Sequence, residues 1–170
     1  ELAADGKGRS GTIGGTFADF GTLALTADGG NVSLTLDLSG GSNTVDKLRF
    51  SGTNDAKLTV KGALTVKSSD FKAASNEIVL SSGAELDFDA SASNMDNVKI
   101  SGAGTLGLLN NTSMTFGGSD DLTLKGLKIY RGRATIANDM TIDDVIFMTA
   151  DAGTLELQNG TLTINNGLSM

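Results

Sequence analysis

Apolar and polar residues alternate in short runs along this chain, and the runs return at a steady interval. The recurring unit reads apolar, variable, apolar, small or polar, then a turn-former. Its copies are Leu36-Asp37-Leu38-Ser39-Gly40, Leu58-Thr59-Val60-Lys61-Gly62, Ile78-Val79-Leu80-Ser81-Ser82, Val98-Lys99-Ile100-Ser101-Gly102, Leu122-Thr123-Leu124-Lys125-Gly126, Met140-Thr141-Ile142-Asp143-Asp144 and Leu162-Thr163-Ile164-Asn165-Asn166. Their first residues are separated by 22, 20, 20, 24, 18 and 22 positions, an average of 21.

A period of two predicts extended strands, with positions one and three on one face and position two on the other. Position five is Gly, Asp or Asn in six of the seven copies, residues that tolerate a left-handed backbone and so permit a sharp corner. A strand, a corner and a return after about 21 residues describe one coil of a parallel β-solenoid. The prediction is an all-β, single-domain solenoid of about seven coils, coiled as a right-handed β-helix because parallel crossovers take that hand. Leu36, Leu58, Ile78, Val98, Leu122, Met140 and Leu162 are expected to form one interior ladder. Leu38, Val60, Leu80, Ile100, Leu124, Ile142 and Ile164 are expected to form the ladder beside it.

Further alternating runs lie between the copies: Leu48-Arg49-Phe50, Leu64-Thr65-Val66, Leu86-Asp87-Phe88, Leu106-Gly107-Leu108, Met114-Thr115-Phe116, Leu127-Lys128-Ile129 and Val145-Ile146-Phe147. Each coil is therefore expected to hold two or three strands. Residues 122–130 and 140–148 align without a gap, so these adjacent coils should share two consecutive strands. The polar stretches 68–76, 90–97 and 150–153 are expected as insertions, the first as a loop or helical turn. Residues 1–20 are Gly-rich and read as an N-terminal arm or cap, leaving 21–170 as the solenoid domain. The opening carries no leader pattern, which makes Glu1 read as a processed start or an imposed boundary.

Composition narrows the function. The chain has 23 Gly and no Pro, Cys, His or Trp, which suits stacked ladders that a Pro would interrupt. Thirteen basic against 20 acidic residues give a net charge of −7, which disfavours nucleic acid and anionic membranes as partners. No stretch reaches the ~20 apolar residues of a membrane-spanning helix. Without His or Cys the common general base and thiol nucleophile are missing, and the expectation is a protein that is not an enzyme and needs no cofactor or metal.

Several clusters carry groups capable of chemistry. Glu85, Asp87 and Asp89 alternate with apolar residues and put three carboxylates on one outward face, a pattern a glycosidase could use but a solvated strand explains. Asp120-Asp121 and Asp143-Asp144 offer oxygen ligands to calcium, yet turn chemistry accounts for them. Thr123, Thr141 and Thr163 predict a short outward Thr ladder, cut off by Asp37, Val79 and Lys99 at the same position of other units. Tyr130, Arg131 and Arg133 form the compact basic-aromatic cluster, expected at a corner. Asn110-Asn111 and Asn165-Asn166 are expected in turns.

In its repeat style the chain resembles the right-handed β-helices of bacterial surface proteins: autotransporter passengers, filamentous-haemagglutinin-like adhesins and filament subunits. The likeness covers residues 34–164 and is carried by phrases such as Gly160-Thr161-Leu162-Thr163-Ile164-Asn165-Asn166-Gly167. The resemblance implies an extracellular, cell-surface location and a structural or adhesive role, and it transfers no active-site residue. After the last unit the sequence offers no capping helix, so the final layer calls for a further solenoid segment or another subunit. The expected function is a secreted filament subunit that polymerises head to tail with itself. Leu162, Ile164, Leu168 and Met170 at one end, and Phe17 and Phe20 at the other, are its candidate assembly interface. The alternative is an adhesin or carbohydrate-binding module of a larger surface protein, with host-surface or matrix glycans as partners.

Overall fold

The computed structural model describes residues 2–5, 8–89, 98–116, 123–147 and 153–170, with side chains described from residue 8 onward except Thr123. In chain order the strands are β1 Leu2–Asp5, β2 Ser10–Gly15, β3 Phe20–Thr26, β4 Val32–Leu38, β5 Thr44–Ser51 and β6 Asp55–Lys61. They continue as β7 Ala63–Val66, β8 Ser69–Phe71, β9 Ser75–Leu80, β10 Glu85–Asp89, β11 Lys99–Leu109 and β12 Ser113–Phe116. The last five are β13 Thr123–Tyr130, β14 Arg133–Ile136, β15 Met140–Phe147, β16 Thr154–Leu157 and β17 Leu162–Ser169. Among the described residues there is no helix, and every pairing between these strands is parallel.

The strands stack in columns, which makes the molecule a parallel β-solenoid of about seven turns. The first column is β2, β4, β6, β9 and then the opening halves of β11, β13, β15 and β17. Its inward partners Ile13, Leu36, Val60, Leu80, Gly102, Leu124, Ile142 and Ile164 lie 23, 24, 20, 22, 22, 18 and 22 residues apart. The second column runs from the start of β3 through the start of β5, β7 and β10 to the closing halves of β11, β13, β15 and β17. The third is described in two runs. One is β1, the ends of β3 and β5, and β8; the other is β12, β14 and β16. Each coil thus has up to three strands.

Alternation fills the interior. Along the second column Leu64, Leu86, Leu106, Leu127 and Val145 oppose one another and are 0–2% exposed. Each such burial contributes roughly 1.5–3 kcal/mol before entropy is subtracted. In the third column Phe50 and Phe71 meet edge to face, with centroids 5.1 Å apart. This contact corrects the expectation for residues 68–76. They form β8 and the start of β9 rather than a loop or helical turn, because Phe71 finds Phe50 below it and the buried Asn76 accepts from the Ala73 N–H.

The predicted ladders need two register corrections. Leu36 opposes Val60 and Leu34 opposes Leu58, so Leu36 and Leu38 belong two residues further along than expected. Ile100 opposes Ile78 and Gly102 opposes Leu80, which removes Val98 from the first ladder and Ile100 from the second. A slip of two keeps the same face inward, so burial alone does not choose between the alternatives. Cross-strand pairs do: the observed registers set Asp37 against Lys61 and Lys99 against Glu77.

Corners follow the small residues. Gly62 and Gly102 have φ of 86° and 116°, and a Cβ on either would lie within 2.5 Å of a carbonyl oxygen of the coil beneath, Leu38 or Leu80. Asn43, 2% exposed, ties three coils together by accepting from the Phe17 N–H and donating to the Ala63 carbonyl. The Gly-rich opening, expected as an arm or cap, contains the outermost rung of the first column, with Ile13 set against Leu36. A main-chain ladder needs few side chains, and Gly does not prevent it. The expected insertion at 90–97, and most of that at 150–153, lie outside the described residues.

Candidate functional site

The last turn carries an apolar end face. Leu157 continues the inward ladder from Ile136, and Leu168 continues it from Val145. Ile136 and Val145 are 0% exposed, whereas Leu157 and Leu168 are 57% and 51% exposed. The side chains sit at core positions; what differs is that no described strand stacks on them. Met170 is exposed beside them, and Leu162 and Ile164 are half-buried against the core. Four of the six predicted assembly residues therefore share this end, and Leu157 joins them. The sequence carried a signal for Leu157, its spacing of 21 from Ile136, but that run was not among those singled out. Phe17 and Phe20 lie at the opposite end, half-buried and packed edge to face with centroids 5.5 Å apart.

The carboxylate row on β10 acquires a cation from two coils away. Asp87, Gly107 and Lys128 are successive rungs of one outward file. Gly107 leaves open the space between its neighbours: a Cβ there would lie 1.9 Å from Asp87 Oδ1. Across that gap Lys128 Nζ donates to Glu85 Oε1 at 2.5 Å and stands 3.9 Å from Asp87 Oδ2. Burial pushes the Asp87 carboxyl up to about 6, with Lys128 opposing the shift and Glu85 and Asp89 adding to it. Burial alone would lower Lys128, but its hydrogen bond to Glu85 and the charges of Asp87 and Glu85 leave it raised. Asp89 is held by the Asn110 side-chain amide at 2.9 Å. The row is thus a braced strand face, with Asp87 Oδ1 lacking a hydrogen-bond partner among the described residues.

The Thr file is longer than its sequence spacing suggested. Register aligns Thr12, Thr35, Thr59, Val79 and Ser101 on one outward line, and Thr141 and Thr163 on its continuation, with the backbone of Thr123 paired to Thr141. The same two-residue slip that moved the ladders replaces Asp37 by Thr35 and Lys99 by Ser101. The neighbouring file is Ser10, Ser33, Lys57, Glu77 and Lys99, with Lys57 and Glu77 paired at 3.0 Å, so no second Thr file accompanies the first.

A groove of about 330 Å³ lies at the corner between the first two columns, lined by Gly102, Ala103, Leu124, Lys125, Thr141, Asp143 and Asn165. It forms where coils differ in length: Ala103 and Gly104 oppose the single Lys125, and Asn165 and Asn166 oppose the single Asp143. Asn165 donates to Asp143 at 2.9 Å. At the other corner Asn110, Asn111 and Arg131 take left-handed backbone angles, and the Arg131 guanidinium lies 5.5 Å from the Tyr130 ring centre. Arg133 pairs with Glu156. Asp120 and Asp121 lie outside the described residues, and among the described residues no three acidic side chains gather as a metal site.

Compared with known family models, curated proteins and solved structures, the chain finds no match in any of the three.

Proposed function

We propose that the protein is a structural subunit of a bacterial cell-surface filament or fibre, an extracellular solenoid that assembles end to end with copies of itself. The observation that carries this reading is the jump in exposure from 0% at Ile136 and Val145 to 57% and 51% at Leu157 and Leu168, one rung further on. The first rung of another copy is the natural cover. It brings a parallel strand edge for the unpaired backbone and inward apolar residues for the ladders. Contact between unlike ends does not close on itself, so repetition gives a fibre. Static light scattering and electron microscopy of the purified chain test this. Rods that lengthen with concentration, and their loss in a Leu157→Asp, Leu168→Asp variant with unchanged far-ultraviolet circular dichroism, are expected. Monomers at high concentration would overturn it.

The corner groove favours a second reading, an adhesin or carbohydrate-binding module of a larger surface protein with host-surface or matrix glycans as partners. Among its lining residues, Gly102, Ala103 and Leu124 suit the C–H face of a sugar ring, and Lys125, Thr141, Asp143 and Asn165 offer polar groups to its hydroxyls. A glycan array read with the parent and a Lys125→Ala variant separates the two. Signals lost in the variant would support the module, and an array without signals would remove it.

A further inference from the structure

Asparagine is followed by glycine twice in the chain, at Asn159-Gly160 and Asn166-Gly167. Such a pair is reactive because glycine lacks the Cβ that would shield its backbone nitrogen, and that nitrogen can close on the asparagine side chain. The fold puts the two pairs in different settings. Asn159-Gly160 lies in the corner between β16 and β17, outside any strand, with Asn159 exposed. Asn166-Gly167 lies inside β17, between the pairings of Ile164 with Ile142 and of Leu168 with Val145. We propose that Asn159 is a self-modification site: the folded chain converts it to aspartate and isoaspartate without an enzyme, and the product loosens the corner that leads into β17.

The corner is pinned at its two edges and open between them. Gln158 donates its N–H to the Ile136 carbonyl, and Thr161 donates to Asp139 Oδ1 while its carbonyl accepts from the Met140 N–H. Among the described residues nothing accepts from the Gly160 N–H, so the attacking nitrogen is not held in a hydrogen bond. Ring closure also requires the asparagine to turn out of an extended backbone. A corner residue does this locally, whereas Asn166 must first break the ladder of β17 against β15.

The reaction balances with water alone. The Gly160 nitrogen attacks Asn159 Cγ, the Cγ–Nδ2 bond breaks, and the side-chain amide leaves as ammonia with the proton of the glycine. Water then opens the five-membered imide at one of its two carbonyls. One opening gives aspartate; the other gives isoaspartate, whose backbone runs through the former side chain and is one methylene longer. Either product adds a negative charge to a corner that already holds Asp139. The longer backbone also meets a tight contact, because a Cβ on Gly160 would lie 2.1 Å from the Asn138 carbonyl oxygen. Isoaspartate therefore displaces Gly160 from Asn138 and draws the start of β17 away from β15.

Incubation of the full chain in mildly alkaline buffer, folded or in urea, tests this. Digestion with trypsin and a glutamate-specific protease cuts after Glu156 and releases residues 157–170, which carry both pairs. Fragmentation of that peptide by mass spectrometry then locates each conversion. In urea both sites lack structure, so their rate ratio reports sequence alone. In the folded chain the ratio of Asn159 to Asn166 conversion should be larger than in urea by about tenfold or more. A folded ratio no larger than the urea ratio, or no conversion of Asn159 in the folded chain, would overturn the proposal. The loosening is read with an Asn159→Gln chain, whose longer side chain closes a ring far more slowly. The melting temperature of the parent should fall as incubation proceeds while that of the variant stays level. A parent that converts at Asn159 and keeps its melting temperature would show that the corner absorbs the change, and would overturn that half of the proposal.

Discussion

At the scale of single residues, the most informative position is Asp87. Its carboxyl is 17% exposed, stands over Gly107, and in the fold has a pKa raised from 3.8 to about 6, burial being the largest cause. A raised folded-state value means that the native state binds the proton more tightly than the unfolded chain does. The contribution is therefore most favourable below pH about 4 and is lost as pH rises through about 6. Relative to the parent, Asp87→Asn should raise stability at pH 7 by roughly 2 kcal/mol and change it little at pH 4, since one pKa unit corresponds to about 1.4 kcal/mol and partial solvent contact discounts the shift. Melting temperatures of both proteins between pH 4 and 8 check this, and parallel curves would refute it. The three carboxylates and their outward face were legible in the sequence from alternation. Lys128 was not, because it lies 43 positions from Glu85 and becomes a neighbour through two coil closures. Gly107 was invisible for the same reason: only the stack reveals that its missing side chain makes the gap that Lys128 crosses.

At the scale of elements, strands and corners were legible while register was not. Every alternating run of the sequence falls on a strand in its described part, Val98 alone excepted, since period-two burial is a local property. Register depends on which rung lies beneath. Loops that vary by a few residues move it in steps of two without moving any side chain to the other face, as at Leu36 and Val98. That error also shortened the Thr file, which gains Thr35 and Ser101 at their observed places and is interrupted at Val79. Close approach between coils offers a test of this account, because two glycines of the same strand, β11, are constrained differently. At Gly102 a Cβ meets the Leu80 carbonyl oxygen at 2.1 Å, and φ is 116°. At Gly107 it meets the far end of the Asp87 side chain rather than backbone. Gly102→Ala should therefore cost about 3 kcal/mol or more, through both strain and a displaced rung, and Gly107→Ala about 1 kcal/mol. Urea unfolding gives both values, and equal costs would show that the Gly102 corner yields as easily as a side chain.

At the scale of the whole molecule, a solenoid's stability is approximately the sum of its coils and of the interfaces between them. Interior coils are covered on both sides, whereas the turn carrying Leu157, Leu162, Ile164 and Leu168 is covered on one. The end turn is then the weakest unit, and whatever stacks on it stabilises it by mass action because it binds the folded chain and not the unfolded one. If the cover is a second copy, melting temperature must depend on protein concentration. A hundredfold rise in concentration through the assembly range should add about 2.7 kcal/mol to the folded state, by the same arithmetic that governs ligand binding. For a domain of this size that corresponds to roughly 5–10 °C. The Leu157→Asp, Leu168→Asp chain should melt at one temperature whatever its concentration, near that of the dilute parent, since both substitutions lie on the open face and disturb no buried neighbour above them. Differential scanning fluorimetry across that range is sufficient. A parent whose melting temperature is flat with concentration would mean that copies do not cover one another, and the exposed ladder would then await a different strand.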